Sequence, residues 1–200
     1  RKRLLRPGRR WGFVARGILG VAGRLAALLL DQGGLDLAHH RADVRLLQEE
    51  FARRRPEDWT RIGLIAKIET PVAVRNLPEI IVQAASRQPF GVMIARGDLA
   101  VEIGFERLAE MQEEILWLCE AAHVPAIWAT QVLESLAKTG LPSRAEITDA
   151  AMAQRAEAAM LNKGPYIDRA VTVLGDILGR MHGHASKKRD MLRRLESWSL

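Results

Sequence analysis

The sequence predicts an α/β fold, a partial TIM (β/α)8 barrel, on three observations. Four short apolar runs, starting near residues 62, 91, 124 and 158, are separated by segments of helical period. That is the rhythm of βα units, whose right-handed crossovers lay the strands parallel in one sheet. The runs are apolar almost throughout, as strands buried on both faces are. Charged residues collect at their carboxyl ends (Lys67 and Glu69, Arg96 and Asp98), where a barrel of this kind gathers its functional side chains. No glycine-rich phosphate loop follows any run, which weighs against a doubly wound sheet. A closed barrel takes roughly 200–250 residues, and the regular units here occupy about 120, residues 62–181. Either an upstream half is missing or two copies cover each other's open edges.

Residues 1–41 read unlike the rest. Eight basic residues precede position 41 against Asp31 and Asp36, which accounts for the whole formal charge of +6. The basicity is therefore local, and a nucleic-acid-binding protein is not read from it. Arg9-Arg10 before an apolar stretch invites a targeting reading, but Arg16 and Arg24 interrupt the stretch and Asp31 follows it. This segment is expected to be poorly ordered. The chain has no initiating Met and reads as a fragment. Cys119 is the only cysteine, so no internal disulfide forms and a cytoplasmic location is expected.

From residue 42 to 181 the elements follow in order. Val44, Leu47 and Phe51 predict a helix with Asp43 near its start, ended by Pro56. Ile62 to Ile68 is the first strand, Val74 to Ser86 a helix, and Gly91 to Ala95 the second strand. Phe105 to Ala122 is an amphipathic helix with Phe105, Leu108, Ile115, Cys119 and Ala122 on one face. Val124 to Ala129 is the third strand. Ser143 and Glu146 form a capping box for a helix reaching Glu157. Ala158 to Leu161 is the fourth strand, and Ile167 to Met181 the last helix, through Val171, Leu174 and Leu178. Residues 182–200 are a basic tail, and His182 and His184 are read as solvated.

Lys67 and Glu69 point the same way from their strand, because successive side chains alternate faces. Asp98, ending the next strand, can bring its carboxylate to that of Glu69. Two carboxylates and an ammonium there suit a divalent metal and an anionic substrate. Taken alone, Lys67–Glu69 or Arg96–Glu102 would be structural ion pairs, and Trp117 and Trp128 are read as packing.

Four segments, Ala66-Lys67-Ile68-Glu69, Met93 to Ile103, Ala129 to Ser135 and Pro142 to Asp149, closely resemble pyruvate kinase. They correspond to that family's fifth, sixth and seventh barrel strands and the approach to the eighth. The resemblance runs through about residues 42–180, so the chain corresponds to roughly the last four βα units. It implies a phosphotransferase of glycolysis that turns phosphoenolpyruvate and ADP into pyruvate and ATP. Glu69 and Asp98 would hold Mg2+ or Mn2+. Lys67 would stabilise charge on the phosphoryl group and the enolate. The Gly97 and Asp98 N–H groups would receive the substrate carboxylate. Thr130 would lie near the protonated face of the enolate, and Arg96 would orient the loop. Glu134 and Ser135 are read as structural. The implied partners are small molecules (phosphoenolpyruvate or pyruvate, ADP or ATP) and a second copy in a homo-oligomer, with neither nucleic acid nor membrane.

The departures also carry expectations. Ala100 stands where the family has glycine. The fourth strand ends Met160-Leu161-Asn162-Lys163 in place of a Ser-Gly-Glu-Thr motif. Leu35 to His40 replaces a strand ending in Ser-Phe. A displaced upstream reading frame would explain the last, and translation in all frames tests it. The family's first three strands supply a phosphoryl-binding arginine, the K+ ligands, the nucleotide contacts and the lid attachment. With these and the carboxyl-terminal domain absent, complete turnover by this chain alone is not expected. The alternatives are a metal-dependent aldolase or lyase of the phosphoenolpyruvate/pyruvate barrel group, which Ile68 to Ile80 also resembles, and a non-catalytic truncated relic.

Overall fold

The computed structural model describes residues 39–182 and 184, and the backbone of residues 12–15. The remainder of the amino-terminal segment, including Leu35 to Ala38, and nearly all of the basic tail lie outside the described residues.

α1 (Arg41–Arg54) starts where the sequence puts it. The Asp43 carboxylate accepts the His40 N–H at 2.8 Å, satisfying a donor that the first turn would leave open. Val44, Gln48 and Phe51 form its buried face. Gln48 and Gln83 exchange hydrogen bonds, so the one polar group on that face is paired. β2 (Leu64–Ile68) follows. The predicted single helix over 74–86 is two, α2 (Pro71–Arg75) and α3 (Leu77–Ala85). Asn76 leaves helical geometry between them, with φ −91° and ψ 3°. Pro78 then sits in the first turn of α3, where its missing N–H costs nothing.

Every residue of β3 (Phe90–Ala95) is buried, as in a strand covered on both faces. α4 (Arg96–Ile103) starts with no loop at all, and Gly104, at φ +89°, turns the chain into α5 (Phe105–Ala121). Met111, Ile115 and Cys119 are buried along α5. Phe105 is 77 % exposed: as the first residue of the helix it precedes the turn where the stripe meets the sheet. β4 (Ala126–Val132) runs three residues past the predicted end and so includes Thr130 and Gln131. α6 (Glu134–Thr139), not anticipated, is closed by Gly140 at φ +83°. α7 (Arg144–Met152) carries the predicted capping box, with Glu146 N–H on Ser143 Oγ at 3.2 Å and Ser143 N–H on the Glu146 carboxylate at 2.9 Å. It passes into a 3-10 turn, Ala153–Arg155, short of the predicted Glu157. β5 (Ala158–Leu161) and α8 (Ile167–Met181) have the predicted bounds, although Ala170, Leu174 and Leu178 form the buried face of α8 and Val171 is exposed.

β2, β3, β4 and β5 are hydrogen-bonded in that order and all run parallel. This is a partial TIM barrel, and β1 (Gly12–Ala15), pairing antiparallel with β5, is an addition the sequence did not indicate. Helices cover one face over a core that includes Ile68, Leu77, Ile94, Met111, Trp128 and Leu174. The other face carries Met93, Ile127, Ala129 and Met160. Lys67 is in register with Met93, and Met93 with Ile127, so Lys67 rises from this second face at its carboxyl end.

Candidate active site

Three chain segments leave the carboxyl ends of β2, β3 and β4 side by side. Lys67 is the penultimate residue of β2. Two residues on, Glu69 is held where the chain turns, because Thr70 caps α2 by accepting the Ala73 N–H at 3.2 Å. Asp98 occupies the first turn of α4, which puts its carboxylate over the neighbouring strand end.

The Lys67 ammonium touches both acids: it pairs with Glu69 and lies 3.0 Å from Asp98. Glu69 is the sheltered member, its side chain 12 % exposed, and Asp98 the open one at 63 %. Burial pulls the lysine down, but hydrogen bonds to Glu69 and Asp98 and their negative charge outweigh it, leaving it above the ordinary lysine value. These three side chains, with His39, Thr70, Val101 and Glu102, line an open cleft of about 470 Å3.

Gly97 brings the third strand end in. A methyl group built on it would stand 3.4 Å from Thr130 Oγ1 and 3.5 Å from Gln131 Nε2, so the start of α4 lies against the Thr130 side chain. Arg96 is the tie behind this contact. Its side chain is buried, with Nε–H on the Ala129 carbonyl at 2.9 Å and one terminal nitrogen on the Thr130 carbonyl. The other terminal nitrogen pairs with Asp149 of α7, and the guanidinium lies 4.7 Å from the Trp128 ring centroid.

The six residues singled out from the sequence thus fall into two linked groups. Lys67, Glu69 and Asp98 meet at one cation, Gly97 meets Thr130, and Arg96 supports Thr130 from behind. Arg96 does not pair with Glu102, since its side chain turns inward toward β4 and Glu102 stays exposed at the cleft. Asp149 was in a recognised segment, but nothing in its spacing pointed to Arg96. His39 was missed because the Leu35 to His40 run read as a departure. Glu134 is held low by a hydrogen bond to Lys138, against some burial, and by a further one to Asn162 at the end of β5. Among the described residues, no three His, Cys, Asp or Glu side chains are grouped to hold a metal. Glu69 and Asp98 offer two oxygen donors, which fits a hard ion that keeps most of its sites for water and substrate.

Residues 40–166 match the family described as pyruvate kinase, barrel domain. The chain is 36 % identical over 156 residues to the pyruvate kinase of Thermotoga maritima, covering 77 % of this chain and 32 % of that protein. It is 39 % identical over 136 residues to the chloroplastic pyruvate kinase isozyme A of Ricinus communis, covering 65 % and 22 %. Against a pyruvate kinase from Cryptosporidium parvum of known structure, it superposes with a TM-score of 0.66 at 28 % identity, covering 76 % of this chain and 32 % of that one. The chain thus spans between 22 % and 32 % of the length of these proteins. With the barrel domain matched across residues 40–166, which hold every strand-end residue described above, the chain belongs to the pyruvate kinase family.

Proposed function

We propose that the cluster at the ends of β2, β3 and β4 is the enolate half of a pyruvate kinase site. One observation carries this: a single ammonium shared by two carboxylates on adjacent strand ends, beside a helix start that touches a threonine. In the reaction the phosphorus–oxygen bond of phosphoenolpyruvate breaks and the phosphoryl group passes to a β-phosphate oxygen of ADP. The enolate left behind takes a proton on carbon to give pyruvate.

Lys67 supports the negative charge of the phosphoryl group in transfer and of the enolate oxygen. It remains an ammonium throughout, consistent with its raised pKa, so it acts as a fixed cation and not as a base. The N–H groups of Gly97 and Asp98, in the first turn of an eight-residue helix, face the substrate carboxylate. Thr130 lies by the face of the enolate that accepts the proton. Glu69 and Asp98 would hold Mg2+ or Mn2+, which would supply positive charge beside the developing enolate. Arg96, with its donors committed to β4 and Asp149, contributes by holding Thr130 in place. K+ dependence, a homo-oligomeric state and a cytoplasmic location go with this reading by family likeness. Among the described residues, no helix is long and apolar enough to cross a membrane.

The test is a calorimetric titration of oxalate, a mimic of enolpyruvate, with and without magnesium. Magnesium-dependent binding that disappears in Glu69→Gln is expected. A folded chain that binds oxalate equally with or without the metal would overturn the reading and favour a non-catalytic relic. Turnover of aldol substrates in place of proton exchange into pyruvate would favour the aldolase alternative.

A further inference from the structure

The Thr130 side chain stands against Gly97 at the irregular end of β4, and the backbone there is gripped at two successive carbonyls. Both carbonyls, of Ala129 and Thr130, accept from the one Arg96 guanidinium. A guanidinium is a rigid planar fork, so fixing its orientation fixes both carbonyls together. The guanidinium lies over Trp128, a residue 1 % exposed whose indole nitrogen has no hydrogen-bond partner among the described residues. Trp128 therefore supplies a platform and no polar anchor. The remaining in-plane direction is set by Asp149, whose carboxylate takes the free end of the fork. Asp149 also supplies the negative charge that a guanidinium with only 8 % of its side chain exposed requires.

We propose that Asp149 is a positioning residue, which acts through Arg96 to hold the end of β4 so that Thr130 stands against Gly97 at the enolate site. It touches no substrate. Removing its charge leaves Arg96 buried and under-paired, free to turn on Trp128, and the two carbonyls follow. Lys67, Glu69 and Asp98 are supported by β2 and α4 and do not depend on this grip. The proposal rests on the enolate reading only for the chemistry assigned to Thr130.

The experiment uses the full chain carrying 13C-methyl threonine, with the Thr130 methyl signal assigned by Thr130→Ser. Asp149→Asn is expected to move that signal, to slow exchange of the pyruvate methyl protons with D2O in magnesium by roughly tenfold to a hundredfold, the cost of an ångström-scale misplacement, and to leave magnesium-dependent oxalate affinity within about twofold, since the carboxylate groups stay put. Asp149→Glu restores the signal and the exchange. Arg96→Lys, which keeps the charge and loses the fork, moves the same methyl and keeps the test open should Asp149→Asn not fold. Glu113→Gln breaks another sheltered ion pair, that with Arg155, and should leave the Thr130 signal in place. An unmoved Thr130 methyl in Asp149→Asn, or an equal movement in Glu113→Gln, overturns the proposal. A wild-type chain that neither binds oxalate nor exchanges pyruvate sinks the enolate reading instead, while the methyl shift still decides whether Asp149 positions Thr130.

Discussion

Replacing Lys67 with Met should make the chain bind magnesium more tightly while abolishing its chemistry. Methionine fills much the same volume along β2 and removes only the charge. In the structure the ammonium occupies the point on which Glu69 and Asp98 converge, so a divalent ion entering there must displace it from at least one carboxylate. Each contact is worth about 0.5–1 kcal/mol, because the lysine side chain is 34 % exposed and solvent screens the pair. The two together amount to about 1–2 kcal/mol, or roughly fivefold to thirtyfold in magnesium affinity. Calorimetric titration of MgCl2 into both proteins measures this directly. The thermal midpoint gives a second check: without metal Lys67→Met melts lower, since two carboxylates are left facing each other, and magnesium raises it by more than it raises the wild type. On the proposed reading, pyruvate proton exchange should fall to background in the same variant, because the cation assigned to the enolate is gone. Equal or weaker magnesium binding by Lys67→Met would refute the premise that lysine and metal compete for one pair of carboxylates.

Gly164→Ala should lower the melting temperature strongly. A Cβ there would stand 2.0 Å from the Ala137 carbonyl oxygen and 2.4 Å from its carbon, both backbone atoms of α6 that cannot rotate away. Relief would also stretch the Tyr166 N–H bond to the same carbonyl, now 3.0 Å, and overpacking of this kind costs about 1–3 kcal/mol or more. Thermal unfolding followed by circular dichroism should show a drop of roughly 4–10 °C, and an unchanged midpoint would show that the loop after β5 shifts freely. The capping box of α7 gives a pH-dependent expectation. Burial raises Glu146 somewhat, but hydrogen bonds from the Ser143 and Ser135 N–H groups outweigh it and hold it below its ordinary value of 4.5. A carboxylate depressed on folding stabilises the protein above its unfolded value and loses that contribution as pH falls through the folded one. Glu146→Gln should therefore be less stable than wild type at pH 7, with the gap closing below about pH 4 in urea titrations. A gap that widens in acid would contradict the sign.

What was legible in the sequence follows from rules of short range. Strand alternation and the order of parallel strands brought Lys67, Glu69 and Asp98 together, because each rule spans a few residues or one crossover, although Asp98 arrives from the first turn of α4 and not from the strand end the sequence assigned it, since β3 stops at Ala95. The capping box at Ser143 and Glu146 is equally local, and it forms as read. The misses need information from farther away. Arg96 looked able to pair with Glu102 one and a half turns along its own helix, yet its partner lies 53 residues on, brought near by the packing of α7 against β4. Thr130 and Gln131 read as the end of a strand because they are polar, although the ladder resumes at Val132, paired with Leu161. Phe105 fits the apolar period of α5 and is exposed, since period fixes a direction around the helix and not the depth at which the helix begins.

The division of labour among the strand ends accounts for how a partial barrel can present this cluster. Every residue assigned to the enolate comes from β2, the residue that follows it, the first turn of α4 or β4, and the strands β2, β3 and β4 that carry these segments are neighbours in register. Such a group depends on the pairing of three strands, which the sheet supplies locally, and not on barrel closure. The cost of that economy falls on β4, the strand whose end is irregular, with Gln131 at φ +59° and Leu133 at φ +48°. A bend of that kind persists only where its surroundings hold it. Here those surroundings are one arginine lying against Trp128, tied across to an aspartate on α7. The carboxylates that gather charge are therefore secured by short segments next to the strands, the turn into α2 and the first turn of α4, whereas the threonine beside them depends on an arginine tied to a residue 53 positions away. Activity should accordingly be more sensitive than ligand affinity to changes around Arg96 and Asp149.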